Sequence, residues 1–401
     1  MKILSICNLP PPYGGAEVFS KELASSLSKA GENIVIITQK MYEAQSTTGF
    51  DVINYPYLQK RQLDLIDQGI KIFPLFLTPA LKGISKKKRP PIDRKLVQNL
   101  EKVVLEERSE VIHCHFTTKT IQEALNISKT KKIPLVVTLH GITNLIPFAD
   151  SGAMGGLSTE EIISMLKSCA QTTVVSQPSL DFCLSFGLQN VCKIPCGIDR
   201  ELFSLGTHKD RRGILYVGKL NMLKGLKETL IAFLKVANTI EENLYLVGRG
   251  IDENAFRKTG FFLDTGEKMK FLELKNQGRI FLLGELDPVD LRDLYWSKKI
   301  LVLPSVTEGF PLAVLEALSC GMPVIASDVG SISEVIQDGK NGYLIPKANS
   351  TELAQAMVRL VSEYDSDIRY VCRESTVHYD INQIAQDYIN LFHTVINESK
   401  S

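Results

Sequence analysis

The chain has 401 residues, with 46 Lys and Arg against 45 Asp and Glu, a net charge of +1. With 44% hydrophobic and 23% charged residues and a mean hydropathy of +0.02, it is composed like an ordinary globular protein. That balance excludes a disordered chain, a collagen-like repeat and a whole-chain basic field for nucleic acid, and at about 150 residues per domain the length predicts two or three domains. The longest useful charge-free run, residues 133–149, contains His140, Gly141, Asn144 and Pro147 and falls short of the ~20 apolar residues a bilayer needs. Pro10, Pro11 and Pro12 interrupt the apolar start, so a secretory leader is not expected. Eight cysteines without C-x-x-C spacing suit a reducing cytoplasm.

From the N-terminus, a strand pattern at residues 3–6 leads through Pro10-Pro-Pro-Tyr-Gly14-Gly15-Ala-Glu17 into a helical stretch at 17–29, apolar at Val18, Leu23 and Leu27. Two glycines opening a helix let backbone N–H groups approach a phosphate. The full dinucleotide fingerprint is missing, and a plain tight turn is the alternative. After a strand at 34–38, an apolar stretch at 72–81 runs into Lys86, Lys87, Lys88 and Arg89. Apolar anchors beside a basic cluster suit a peripheral contact with an anionic membrane, at about 1 kcal/mol per basic residue. An apolar helix packed in the domain, followed by a solvated basic loop, is the competing expectation, and Pro74 and Pro79 weaken any long helix.

Further strands are expected at 111–114, 135–139 and 172–175. His113 and His115 share a strand face about Cys114. Two ligands without two more make a poor zinc site, so they are expected to line a cleft at most. His140-Gly141 closes the strand 135–139, and a packed strand-end histidine is its plainest reading. Residues 195–213 carry Pro, Gly, Asp, His and Arg without periodicity and predict the domain boundary. Strand patterns restart at 214–217 and continue at 244–247, 280–283, 300–303, 324–326 and 343–345. Many of these runs are continuous rather than alternating, as in strands buried on both faces. Alternation with helices implies parallel, doubly wound α/β sheets, too many strands for one, with ligands bound at the strands' carboxyl ends. Lys219 and Lys224 follow the strand 214–217 and could neutralise a diphosphate without magnesium, against the alternative of two solvated loop lysines.

The densest signal is at 301–346. A strand and the loop Pro304-Ser-Val-Thr-Glu308-Gly309-Phe310-Pro311 precede a helix expected over 311–320, with Pro at its first position and Gly321 past its end. Leu312, Val314, Leu315 and Leu318 leave it no water-facing side, so it is buried, and its only charge is Glu316. A carboxylate there is costly unless hydrogen-bonded. Helical rise carries Glu316 about 7.5 Å from Pro311, so Glu308 and Glu316 flank a helix N-terminus suited to a phosphate. A nucleoside-diphosphate sugar fits: diphosphate at the N–H groups of residues 309–312, ribose hydroxyls on Glu316, sugar on Glu308. A Glu316 satisfied by nearby backbone and an exposed loop Glu308 are the plain alternative. Ser331 and Glu334 have capping-box spacing and are given a structural role only.

The run from Pro304 to Gly330 resembles the signature of glycosyltransferase family four, retaining enzymes of the GT-B fold. The resemblance covers most of the chain. It implies two Rossmann-like domains facing across a cleft, residues 1–200 on the acceptor side with a helix at 381–401 returning to them, and residues 201–380 holding the donor. It implies no catalytic metal and no cofactor beyond the nucleotide sugar, whose UDP, GDP or ADP identity stays open. The family's first glycine-rich loop closes over the donor diphosphate, which assigns Gly14 and Gly15 that role. Its Val-Gly-Arg-Leu…Lys-Gly pattern assigns Lys219 and Lys224 to the diphosphate, with Lys219 replacing the usual arginine and losing its bidentate fork. His140 matches a histidine lying beside the donor sugar, and Cys196 stands where the family has asparagine. Gly248 and Gly284 match its strand-end turns, the second of them base-contacting.

The expected function is retaining transfer of a sugar from a nucleotide donor to a glycan or lipid-linked acceptor, by a cytoplasmic protein that is peripheral on the inner face of a membrane if residues 70–95 bind lipid. Glu308 and His140 are the expected catalytic residues, with Gly14, Gly15, Lys219, Lys224, Gly309, Phe310, Pro311, Leu312 and Glu316 on the donor. A sugar-nucleotide epimerase of the same fold and a non-catalytic partner subunit are the alternatives. Asp365-Ser-Asp367, the chain's Asp-x-Asp, falls after a helix rather than a central strand, where capping explains it better than metal binding.

Overall fold

The computed structural model describes residues 1–7, 14–38, 65, 67–74, 93–115, 119–141, 158–208, 210–250, 264–365 and 367–401. The chain divides into two compact units, Met1–Gly197 with Ile381–Ser401, and Ile198–Asp380. The chain passes between them at 197/198 and again at 380/381. On the second unit's side the two passages pair, Ile198 bridging to Asp380 and its N–H donating to the Tyr379 carbonyl at 2.9 Å.

In the first unit, β1 (Lys2–Cys7), β2 (Asn33–Thr38), β3 (Lys71–Pro74), β4 (Val111–His115), β5 (Leu135–Leu139), β6 (Gln171–Val174) and β7 (Val191–Lys193) form one parallel sheet ordered β3-β2-β1-β4-β5-β6-β7. Helices α1 (Gly15–Lys29), α2 (Asp93–Glu106), α3 (Lys119–Lys131), α4 (Thr159–Lys167) and α5 (Gln177–Ser185) alternate with the strands. Leu4, Ile112, Leu135 and Val137 are wholly buried with Leu166 and Cys183, which is why these strands read as unbroken apolar runs.

Two strands escape the sequence pattern. β7 has three residues. β3 is the start of the apolar stretch expected as a helix or membrane anchor; its backbone instead pairs in parallel with β2 at the sheet edge, where a terminal proline is tolerated. The rest of that stretch and Lys86–Arg89 lie outside the described residues.

In the second unit, β8 (Ile214–Val217), β9 (Leu244–Val247), β10 (Ile280–Gly284), β11 (Ile300–Leu303), β12 (Val324–Ser327) and β13 (Gly342–Ile345) form a parallel sheet ordered β10-β9-β8-β11-β12-β13. Its helices are α6 (Leu226–Val236), α7 (Thr265–Asn276), α8 (Pro288–Ser297), α9 (Leu312–Ser319), α10 (Ile332–Val335), α11 (Ser350–Ser362) and α12 (Ile368–Glu374). Phe233, Leu246, Val302, Ile325 and Met357 centre the core.

The last helix, α13 (Ile381–Lys400), belongs to the first unit. It buries Ile384, Ala385, Tyr388, Phe392 and Val395 and packs on α1, with Ser26 Oγ donating to Asn382 Oδ1 at 2.7 Å. Leu391, on the same helix, is half-buried. All eight cysteines are free. No helix among the described residues is long and apolar enough to cross a membrane.

Candidate active site

In the second unit the site forms where β8, β11 and β12 end. Beyond β8, a single 3₁₀ turn at Met222–Lys224 is capped by Asn221, whose Oδ1 accepts from the Lys224 N–H at 3.0 Å. Gly225 follows at φ 72°, and a Cβ there would strike the Pro304 carbonyl, so the chain turns only because no side chain intervenes. The Val306 N–H donates to the Leu223 carbonyl at 2.9 Å. The loops after β8 and β11 are thereby tied together. Beneath them Tyr216 is wholly buried, its hydroxyl donating to the Lys219 and Lys224 carbonyls at 2.8 and 3.1 Å. Burial, and then the charge of Glu308, raise its pKa.

This scaffold brings Lys224 to Glu308. Lys224 Nζ stands 2.7 Å from Glu308 Oε1, and Ser305 Oγ donates to the same oxygen at 2.7 Å. The Glu308 side chain is only 7% exposed, so it is not the exposed loop carboxylate of the plain alternative. Gly330 packs against the Glu308 carbonyl at φ 62°, and Ser331 Oγ donates to the Gly309 carbonyl at 2.9 Å. That corrects the capping-box expectation: Ser331 makes no side-chain cap to α10 and buttresses the Glu308 loop instead.

Helix α9 starts one residue later than expected. Pro311 is its N-cap, with φ −85° and ψ 92°. As proline has no N–H, only Gly309, Phe310 and Leu312 of the expected quartet can offer an amide to a phosphate. Phe310 and Leu312 are each 7% exposed, and the Phe310 ring lies 5.6 Å from that of Tyr379. Glu316 is 8% exposed and accepts from the hydroxyl of the wholly buried Tyr295 at 3.0 Å. A side chain, rather than backbone alone, therefore holds it. Lys219 is exposed, and among the described residues its backbone, not its side chain, has a fixed partner. Gly218, Gly248 and Gly284 zip the strand ends together through N–H to carbonyl bonds of 3.0 Å (Gly218 to Val247) and 2.8 Å (Gly248 to Gly284).

In the first unit, Gly14 is the N-cap of α1 and Gly15 its first residue. The Glu17 carboxylate folds back so closely over Gly14 that a Cβ there would collide with it. His140, just past β5, is half-buried. Its Nε2 lies 3.1 Å from His115 Nδ1, the two rings are stacked, and Phe19 presents its edge at 5.8 Å. His113 and His115 are not cleft-lining, as expected, but 1% and 5% exposed. His113 Nε2 is 2.7 Å from Thr138 Oγ1, which meets Thr173 Oγ1 at 2.7 Å and the Tyr388 hydroxyl at 3.1 Å. Burial lowers all three histidines, His113 and His140 to about 3, so the cluster is neutral.

Cys196 is buried, and burial raises its pKa; its position leaves no polar group where the family places one. Asp365 Oδ1 accepts from the Asp367 N–H at 3.2 Å just before α12, and Asp367 makes no side-chain cap. Among the described residues no group of three or more His, Cys, Asp or Glu is placed to hold a metal ion.

Sequence reasoning missed Ser305, Tyr216, Tyr295 and the Glu17 carboxylate over Gly14, and gave His115 no more than a cleft-lining role. Ser305 was recoverable, because Ser305-Val-Thr-Glu308 has the spacing at which a serine and a glutamate meet around a turn.

Residues 13–202 match Glycosyltransferase Family 4 and residues 197–374 match Glycosyl transferases group 1. The N-acetyl-alpha-D-glucosaminyl L-malate synthase of Bacillus anthracis is 23% identical over 98% of this chain and 97% of its own. Among solved structures, sucrose-phosphate synthase from Thermosynechococcus elongatus superposes with a TM-score of 0.72 at 19% identity, over 99% of this chain and all of that one. The Anabaena HepE protein in complex with UDP gives 0.73 at 17%, over 98% and 100%. The two family matches together run from residue 13 to residue 374, the two parallel sheets are the Rossmann-like domains of the GT-B fold, and the chain is a glycosyltransferase belonging to family four.

Proposed function

We propose that this glycosyltransferase moves a hexosyl group from a nucleoside-diphosphate sugar to an acceptor hydroxyl with retention at the anomeric carbon and without a metal. The observation that carries this reading is the pairing of Lys224 with Glu308 beside the α9 N-terminus, with Glu316 on the same helix. A departing diphosphate needs positive charge and preorganised N–H donors. Lys224, Lys219 and the amides of Gly309, Phe310 and Leu312 supply both, which is the argument for metal independence. Glu316 accepts from the ribose hydroxyls. Glu308, held by Lys224 and Ser305, orients the sugar and stabilises positive charge developing at its anomeric carbon. A nucleophilic role for it is disfavoured, since double displacement needs two carboxyls about 5 Å apart across the reacting bond and Glu316 is committed to the ribose. The resemblance assigns His140, Gly14 and Gly15 to the donor sugar and its diphosphate.

The acceptor is a glycan or a lipid-linked sugar. The basic run Lys86–Arg89 supports contact with an anionic lipid surface, tested by salt-sensitive co-sedimentation with anionic but not neutral vesicles. For the transferase itself, the purified chain is incubated with UDP-, GDP- and ADP-sugars and nucleoside diphosphate release is followed. Release from one donor that is lost in Lys224→Ala and Glu316→Ala supports the reading. A chain that binds a donor and never turns it over would be the non-catalytic partner subunit, and conversion of the donor sugar without transfer would be the epimerase.

A further inference from the structure

We propose that Tyr295 is the positioning residue for the ribose-binding carboxylate: its hydroxyl, 3.0 Å from Glu316 Oε2, fixes one carboxylate oxygen so that Glu316 meets the ribose of a nucleoside diphosphate in a single orientation. The inference rests on the assignment of Glu316 to ribose made above.

Tyr295 has no other evident reason to be tyrosine. It is wholly buried on α8, its ring packing edge-on to Phe203 at 6.1 Å. Phenylalanine would fill the same volume, and a buried phenol hydroxyl must find a partner. The partner found is the one charged group of a helix that is apolar but for it and the terminal Ser319. Helix α8 is held firmly enough to act as a reference. Asp287 caps its start, accepting from Val289 and Asp290 N–H at 2.9 and 3.0 Å, and Trp296 Nε1 donates to the Ser204 carbonyl at 2.6 Å near its end. The hydroxyl is therefore presented from a fixed point, whereas a glutamate has three rotatable bonds. Ordering it before the ligand arrives removes that entropy from the binding step. A carboxylate accepts at about four lone-pair positions, and the bond to Tyr295 takes one of them. Burial and the Glu316 charge both raise the Tyr295 pKa, which keeps the phenol a donor at any working pH.

The test compares UDP, GDP and ADP with their 2′,3′-dideoxy forms by calorimetry, using whichever base the wild type binds. The ratio of dideoxy to ribo Kd reports ribose recognition alone. In Glu316→Ala the ratio should collapse to near one. In Tyr295→Phe it should fall about fivefold, the size of ordering one side chain, with the dideoxy Kd unchanged. In the double variant, Tyr295→Phe should add nothing. A wild-type ratio retained in Tyr295→Phe while Glu316→Ala collapses it overturns the positioning role. Equal weakening of both ligands in Tyr295→Phe also overturns it, as the mark of a merely structural hydroxyl. A ratio unchanged in Glu316→Ala overturns the ribose assignment, and this inference with it. Should Tyr295→Phe fail to fold, Tyr295→Met, which also lacks the hydroxyl, is expected to show the same loss of ratio.

Discussion

Both units follow one plan of parallel strands and covering helices, yet they bury opposite kinds of polar group. The first encloses a neutral network, His113, Thr138, Thr173 and Tyr388, closed on itself by bonds of 2.7–3.3 Å. The second encloses charge: Glu308 with Lys224, and Glu316 beneath Tyr295. A closed neutral network adds rigidity and asks for no ligand. Buried charge costs desolvation that hydrogen bonds only partly return, which makes it poor scaffolding and good binding equipment. The contrast sets the neutral framework of the first unit apart from the charged pairs at the strand ends of the second.

Acid should strike the framework hardest. His113 and His140 titrate at about 3 in the folded chain against an ordinary 6.5. A base whose folded pKa is depressed takes up its proton on unfolding. Its contribution is complete above pH 6.5 and is lost as pH falls toward 3, at about 1.4 kcal/mol per pH unit for each histidine. Urea unfolding should show lower stability at pH 5 than at pH 7, with a shallower dependence in His113→Gln. Equal stability at the two pH values would break the picture of neutral buried histidines.

The next effect belongs to the charged site. Lys224→Ala leaves a 7% exposed carboxylate with Ser305 but no cation, and kcat/KM should fall about 10²-fold, with far less change in unfolding free energy than acid produces. A Lys224→Ala protein that melts early but turns over normally would assign the pair to the framework after all. Smaller still is Tyr388→Phe. Removing a buried hydroxyl shared by Thr138 and Thr173 should cost about 1 kcal/mol in urea unfolding and leave donor affinity untouched; a loss of donor affinity would blur the division. The smallest expected effect is none: EDTA should leave turnover intact. Loss restored by magnesium or manganese would return Asp365 and Asp367 to consideration.

The framework was legible because its strands are local. Residues 135–139, 214–217, 244–247 and 300–303 are apolar runs whose ends coincide with those of β5, β8, β9 and β11. Edge strands β3 and β7 were not, since an edge needs fewer apolar residues and β3 carries a proline. In the site, spacing around one helix singled out Glu308 and Glu316. What spacing could not supply was who holds them. Lys224 reaches Glu308 across 84 residues and Tyr295 reaches Glu316 across 21, and such pairings exist only once the sheet has set the loops side by side. Ser331 shows the reverse error: its local pattern suggested a cap, while a carbonyl 22 residues earlier, at Gly309, takes its hydroxyl.

The return of α13 to the first unit has a consequence for how the chain is made. Translation releases β1 through β7 first, but Tyr388, Phe392 and Ile384, on the helix that lies over His113 and packs on α1, leave the ribosome only after residues 198–380. All of residues 198–380 is complete before them. The second unit can thus close its core while the first still waits for the helix whose Tyr388 ring lies 6.5 Å from that of Phe19, a side chain wholly buried in the folded protein. A first unit that waits for residues 381–401 inverts the N-terminal-first order expected of tandem domains.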